Sequence, residues 1–168
     1  MREKSCCFTG HRDFGRADFD ELSRLTESYI RALIGYGVTD FYVGGALGYE
    51  TLAAQMALRL RETEFPHIRV SLAYPFDGFN RRWDELDRVA YDAILPYFDE
   101  VVRVSRAAGN HAYFARNRYL VDHAAFCVCF LQRPSGGTAY TVRYALEQGL
   151  EVHNVGSYDI YELTELPE

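Results

Sequence analysis

Residues 38–54 constrain the possible fold of this chain more than any other segment. They show a strand pattern, then a glycine turn, then a helix pattern. Residues 39–43 are mainly β-branched and aromatic, which is typical of a buried strand. Three glycines between residues 44 and 48 interrupt the pattern, and from Tyr49 apolar residues recur at helical spacing. Glycines let a ligand approach backbone N–H groups, and the positive end of the helix dipole favours an anion there. The segment therefore predicts a cradle for a phosphate or a carboxylate.

Strand and helix patterns alternate along the rest of the chain. Strands are predicted at residues 5–9, 39–43, 68–74, 100–104, 125–131 and 151–155. Helices are predicted after the capping pattern of Asp18 and Glu21, from Tyr49, and at residues 80–95, 113–124 and 139–148. Helical crossovers between strands require a largely parallel sheet. We therefore predict one domain over residues 1–168, an α/β, Rossmann-like three-layer sandwich. Its mostly parallel sheet should have about six strands, with helices on both faces.

The composition argues against several classes of protein. The net charge of −6 is unfavourable for binding nucleic acid through bulk charge, so a nucleic-acid partner is not expected. The chain has no apolar run long enough to cross a bilayer and no signal-peptide pattern, so membrane contact is not expected. Its four cysteines fall in strand patterns without a Cys-x-x-Cys pair. Buried, reduced thiols are therefore favoured over a zinc site, and no metal site is predicted. Such thiols imply a reducing, cytoplasmic setting.

Glycine, arginine and hydroxyl side chains gather where the predicted strands end. The candidate binding residues are Thr9, Gly10, His11, Arg12, Gly44, Gly45, Gly48, Glu50, Arg116, Asn117, Gly136, Gly137 and Thr138. Because the carboxyl ends of parallel strands share one edge of a sheet, these groups should lie near one another. Helix starts and arginine forks suit phosphates, and the aromatic rings of Tyr74, Phe76 and Trp83 could stack on a base. The pattern predicts a nucleotide or nucleotide-sugar ligand.

Several of these residues also have a purely structural interpretation, which the sequence leaves open. Glu50 is either an acid that favours a helix start, or a carboxylate that binds a ribose hydroxyl or acts as a base. His11 is either a capped loop residue or a catalytic one. Phe76 and Trp83 are either core residues or platforms for a base. Residues 136–138 are either a tight turn capped by a threonine or an anion site.

The motifs at these positions resemble, in the same order, those of the YpsA-like branch of the SLOG superfamily, whose relatives include DprA and the LOG phosphoribohydrolases. They are Phe8-Thr-Gly-His-Arg, Gly-Gly-Ala-Leu-Gly-Tyr-Glu at 44–50, Tyr74-Pro-Phe with Trp83, Arg116-Asn117 before Val121-Asp122, and Gly-Gly-Thr at 136–138. The resemblance implies a Rossmann-like sheet, a pocket for a nucleotide-derived ligand, and a role in sensing or signalling. It also implies a homo-oligomer.

The resemblance raises the question of catalysis. LOG enzymes cleave an N-glycosidic bond with an arginine and with a glutamate beside a Pro-Gly-Gly-x-Gly-Thr-x-x-Glu turn. The corresponding turn here, from Pro134, has no glutamate at its helix start, and Glu147 is too far along. If the chain is an enzyme, Glu50 and Arg116 are the candidate catalytic residues, and they must converge on one sugar.

Three functions therefore stay open. The first and favoured one is a binding or regulatory module for a nucleotide or an ADP-ribose-like molecule, which needs no cofactor. In it, Arg116 and the N–H groups of both glycine turns bind phosphate, and Glu50 binds a ribose hydroxyl, while Thr9, His11 and Arg12 form the pocket floor. The second is an N-glycoside hydrolase that acts on a nucleoside monophosphate. The third is a protein-interaction module whose pocket is vestigial.

Overall fold

A computed structural model of the chain describes residues 2–164 as a six-stranded sheet covered by helices on both faces. The strands are β1 Ser5–Gly10, β2 Asp40–Val43, β3 Arg69–Tyr74, β4 Glu100–Arg103, β5 Phe126–Phe130 and β6 Glu151–Asn154. The helices are α1 Phe19–Tyr36, α2 Tyr49–Thr63, α3 Glu85–Ile94, α4 Asn110–Asp122 and α5 Gly137–Glu147. Short 3-10 helices span Arg2–Lys4, Leu95–Tyr97 and Ile160–Thr164. Residues 1 and 165–168 of the predicted domain lie outside the described residues.

All five strand pairs are parallel, in the order β4-β3-β2-β1-β5-β6. This confirms the Rossmann-like α/β fold. The chain first adds β2, β3 and β4 on one side of β1, and then returns through α4 to place β5 on the other side. The strand order thus reverses between β1 and β5, and the carboxyl edge beside that point is where folds of this kind bind ligands.

The alternation of side chains along the strands separates two apolar cores. In β1, Phe8 lies in the core beneath α1 and α2, whereas Cys7 lies in the core with α4 and α5. Residues of α3 pack at the margin of the first core, and the 3-10 helix Ile160–Thr164 contributes to the second. The four cysteines at 6, 7, 127 and 129 are buried and free. None of the helices in the described part of the chain has the length and apolarity that crossing a bilayer requires.

Three helix starts differ from their predicted positions. Helix α5 begins at Gly137 rather than at 139, and the larger differences, at α3 and α4, move site residues. Helix α3 begins at Glu85 rather than at 80, because the side chain of Asp84 caps it by accepting the Asp87 N–H at 3.0 Å. Residues 75–84 form turns instead, so Trp83 precedes the helix. Helix α4 begins earlier than predicted, at Asn110, so Arg116 lies in its second turn and not at its head.

Candidate functional site

The turn between β2 and α2 packs tightly against the loop that follows β1. Gly48 has a φ of 83°, and a Cβ at that position would overlap the backbone carbonyl of Arg12. The Tyr49 N–H donates to the His11 carbonyl at 3.1 Å. Gly10 supports the same contact, since a Cβ there would lie 2.5 Å from the Tyr49 ring. Glycines 10 and 48 therefore let two neighbouring loops meet at the carboxyl edge.

Glu50 and Arg116 converge on Gly44 from two different helices. Arg116 Nη1 donates to the Gly44 carbonyl, and Arg116 Nε donates to Asn117 Oδ1 at 2.9 Å. A Cβ on Gly44 would lie 2.5 Å from Glu50 Oε1 and 3.0 Å from Arg116 Nη1. A side chain at position 44 would displace one charged group or the other. The structure thus brings four predicted site residues together, although Gly44 and Arg116 are 72 positions apart in sequence.

Glu50 is the most unusual group of the site because its carboxylate is buried and incompletely bonded. Its relative exposure is 5% and that of Arg116 is 4%. Glu50 Oε1 has no hydrogen-bond partner among residues 2–164. Burial raises the pKa of Glu50, while the charge of Arg116 and the backbone of Gly44 lower it by a smaller amount. Such a carboxylate is suited to accept a hydrogen bond from a ligand, or to carry a proton.

Two small cavities adjoin this pair. One, of about 40 Å³, is lined by Glu50, Gly45 and Thr51 together with residues of α3. The other, of about 70 Å³, is lined by Arg12 and Arg116 together with aromatic rings. These rings belong to Phe79, Trp83 and Tyr113.

The first and third of these rings were missed from sequence. Phe79 lies in a segment that shows no strand or helix period, and Tyr113 was predicted only as the first residue of a helix. The one available signal was that each ring contacts a ring that was already a candidate. Tyr74 stacks on Phe79 with 6.0 Å between ring centroids, and Phe76 contacts Tyr113 at 5.5 Å. Tyr74 and Phe76 thus support the cavity wall through other rings, whereas Trp83 lines both cavities itself.

His11 joins the loops that follow β1 and β5. Its backbone N–H donates to the Phe130 carbonyl at 3.2 Å, and its ring Nε2 accepts the Gln132 N–H at 2.8 Å. Accepting that bond requires a neutral ring with its proton on Nδ1. Burial, followed by the nearby charge of Arg133, lowers the pKa of His11 and favours the same form. His11 therefore holds the edge together at the point where strand order reverses, and Thr9, near the end of β1, is buried.

The second glycine turn lies at the same edge, after β5, but lines neither of the two cavities. Helix α5 begins there at Gly137, and a Cβ on Gly136 or Gly137 would have no heavy atom within 4 Å. Thr138 is half-buried in the first turn of α5. Within the described residues, no side chain caps α5 at Gly136 or α2 at Gly48. The start of α5 is exposed and presents backbone N–H groups, whereas at α2 the first N–H, that of Tyr49, already donates to the His11 carbonyl.

The family model described as the YspA SLOG family matches residues 7–165 of this chain. Related sequences are UPF0398 proteins of bacteria. The one from Bacillus velezensis is 25% identical over 170 residues, which cover 96% of this chain and 91% of that protein. The one from Halalkalibacterium halodurans is 29% identical over 145 residues, which cover 85% of this chain and 75% of that protein.

Two solved structures of DNA processing protein A are similar to this chain in fold. The Helicobacter pylori protein, which binds single-stranded DNA, superposes with a TM-score of 0.63 at 16% identity. The Streptococcus pneumoniae protein superposes with a TM-score of 0.63 at 18% identity. The comparisons cover 91% and 90% of this chain, but only 65% and 50% of those two proteins.

Proposed function

We propose, from the premise that this chain belongs to the YspA SLOG family, that it binds a nucleotide or an ADP-ribose-like molecule as a sensing or regulatory module. One observation carries the proposal: Glu50 and Arg116 meet at Gly44, at the carboxyl edge of a parallel sheet. A sugar hydroxyl would supply the hydrogen bond that Glu50 Oε1 lacks, and guanidinium groups would bind the phosphate.

The surroundings of this pair support a nucleotide in particular. Arg12 is exposed and lines the same cavity as the buried Arg116. Arg12 therefore offers a second guanidinium group to a phosphate. The uncapped, exposed start of α5 offers further N–H groups to phosphate oxygens at the same edge. Trp83 and Tyr113 add ring surface on which a base can stack. Each part of a nucleotide therefore has a group of matching chemistry at this edge.

The proposal is tested by thermal denaturation with AMP, ADP-ribose and NAD. A ligand at 100 times its Kd stabilises the fold by about 2.7 kcal/mol, which for a chain of this size raises the Tm by about 5–11 °C. Arg116→Lys should lose most of this shift, because lysine cannot reproduce the fork that contacts Gly44 and Asn117. Arg118→Lys on the same helix, where Arg118 contacts Tyr140, is the control.

A protein that none of these compounds stabilises would contradict the proposal. So would a protein that binds an oligothymidylate but no mononucleotide. That second result would favour the single-stranded DNA ligand of the Helicobacter pylori protein instead.

Hydrolysis of an N-glycosidic bond is the second candidate, and the raised pKa of Glu50 favours it. A carboxyl group that holds its proton can act as a general acid toward a leaving base. In that case the protein releases adenine from AMP, and Glu50→Gln abolishes the release but leaves AMP binding measurable by calorimetry. Turnover that continues unchanged in Glu50→Gln would remove Glu50 from this role.

A further inference from the structure

The two cavities beside Glu50 and Arg116 share a wall formed by two side chains. Leu47 and Trp83 line both the cavity of about 40 Å³ and the cavity of about 70 Å³. Sites for small ligands usually enclose about 300–1,000 Å³, so neither cavity admits a nucleotide as it stands. Even together the two spaces come to only about 110 Å³. A nucleotide therefore fits only if the shared wall moves far enough both to join the two spaces and to enlarge them.

The two spaces differ in the chemistry they offer. On the Glu50 side, the cavity is lined by apolar residues such as Leu72 and Ile94 and by Glu50, whose buried Oε1 has no hydrogen-bond partner among residues 2–164. Burying an acceptor of this kind is unfavourable until a donor reaches it. On the Arg116 side, Arg12 and Arg116 offer guanidinium donors to an anion. A ligand that spans the wall therefore carries a hydroxyl at one end and a phosphate at the other, as a sugar phosphate does.

The wall lies at the margin of the first core, where Trp83 contacts Tyr91. Trp83 lies at the end of the turns at 75–84, where Gly78 has a φ of 80°. Its ring contacts are edge-on, at 5.5 Å from Phe79 and 5.6 Å from Tyr91, and such ring pairs are individually weak. Helix α3, which follows directly, contains no fully buried residue. Apart from Pro75, none of residues 75–84 is fully buried, so the rest of this segment can shift without opening the centre of the core.

We propose that residues 75–84 form the access segment of the site. In this proposal, Trp83 and Leu47 divide the site into a hydroxyl subsite at Glu50 and an anion subsite at Arg12 and Arg116. The proposal rests on the proposed function and narrows its ligand to molecules that contain a sugar phosphate. Binding displaces Trp83 from Phe79 and Tyr91, and the phosphate stays on the arginine side while a sugar hydroxyl donates to Glu50.

Trp83 is the only tryptophan of the chain, so intrinsic tryptophan fluorescence reports directly on the shared wall. AMP, ribose 5-phosphate, adenosine and inorganic phosphate are titrated, with binding measured separately by calorimetry. We expect AMP and ribose 5-phosphate to raise the acrylamide quenching constant of Trp83 by about twofold, because the ring leaves its edge-on contacts. Inorganic phosphate alone, which reaches only the anion subsite, leaves the constant unchanged.

A second experiment tests the hydroxyl subsite through Glu50→Gln and a ligand that lacks the hydroxyls, 2′,3′-dideoxyadenosine 5′-monophosphate. A hydrogen bond to a charged group predicts that the variant binds AMP about 10-fold more weakly. The same variant should bind the dideoxy compound with unchanged affinity, because that ligand has no hydroxyl to donate. Glu62→Gln, an exposed change on the same helix, is the matched control and should leave both affinities unchanged.

The outcomes separate this inference from the proposed function. Calorimetric binding of AMP without any change in Trp83 quenching overturns the access segment and leaves nucleotide binding standing. An equal loss of affinity for AMP and for the dideoxy compound in Glu50→Gln overturns the hydroxyl subsite. If no nucleotide or sugar phosphate binds the wild-type protein, the proposed function itself fails, and this inference fails with it.

Discussion

Replacing Glu50 with glutamine should stabilise the protein in the absence of any ligand. Glutamine has nearly the same shape but no charge. The Glu50 side chain that it replaces is only 5% exposed, and its Oε1 has no hydrogen-bond partner among residues 2–164. Leaving a buried polar group unsatisfied costs about 1–3 kcal/mol, and more when the group is charged. Arg116 keeps its bonds to Gly44 and Asn117 in the variant, so the guanidinium is not left without acceptors.

The size of the effect follows from that cost and from the direction of the pKa shift. We expect the free energy of unfolding to rise by about 1–3 kcal/mol at pH 7. For a chain of this length, that corresponds to a Tm higher by about 2–12 °C. Because burial raises the pKa of Glu50, the wild-type carboxyl releases its proton more readily in the unfolded chain. The wild type therefore loses stability as the pH rises above about 4.5, the ordinary pKa of a glutamate, and through the raised pKa of Glu50 in the folded protein. The stability of Glu50→Gln does not depend on pH through this position, because glutamine does not titrate.

The assay is urea denaturation of both proteins between pH 4.5 and pH 8, with Glu62→Gln as a control for an exposed glutamate of the same helix. The stability difference between Glu50→Gln and the wild type should be small at the acid end and largest near neutrality. A variant that is equally stable or less stable at pH 7 would refute the reasoning. It would show that the charged carboxylate is fully compensated within the fold, so that no ligand is needed to satisfy it.

Gly48→Ala should destabilise the protein by about 3 kcal/mol or more, because the new Cβ strains a positive φ and overlaps the Arg12 carbonyl. Gly136→Ala has a similar φ but open space, so its cost in urea denaturation should stay near 1–2 kcal/mol, and equal losses would contradict this comparison. Since the pKa of His11 is lowered, the unfolded chain binds its proton first as the pH falls. His11 should therefore make the protein less stable below about pH 6.5, by protonation of the nitrogen that accepts the Gln132 N–H. His11→Gln should flatten that part of the profile, and an unchanged slope would count against this origin.

The fold was predictable because its signals are local. The β-branched and aromatic residues of the strands, the glycines after them and the capping group of Asp18 each act within a few positions. Asp18 accepts the N–H groups of Asp20 and Glu21 at 2.9 and 3.2 Å, as the pattern predicts. The start of α3 was wrong for a similar local reason. The cap at Asp84 competes with a longer apolar period, and the cap determines where the helix begins.

The site was predictable only in part, because its contacts are between distant parts of the chain. The sequence indicates that Gly44 and Arg116 lie at the same edge, but not that the guanidinium meets the Gly44 carbonyl across 72 positions. Likewise, no local pattern shows that His11 accepts a hydrogen bond from Gln132, which is 121 positions away. Leu47 and Trp83 divide the site in a way that depends on how the turns at 75–84 pack. The sequence does not predict that packing, because turns have no repeating apolar pattern.

The burial of the Glu50 carboxylate is not explained by the packing of helix α2. Helix α2 is already anchored by buried apolar residues such as Leu52, Ala53 and Ala57, so its packing does not depend on a carboxylate at the first turn. A glutamate that only favoured the helix dipole would do so equally well on the exposed face. Here the carboxylate instead lies against Gly44, so that position 44 has no room for a side chain. Glu50 Oε1 receives no hydrogen bond from residues 2–164. A buried acceptor that lowers the stability of the free protein is explained if its donor arrives with the ligand.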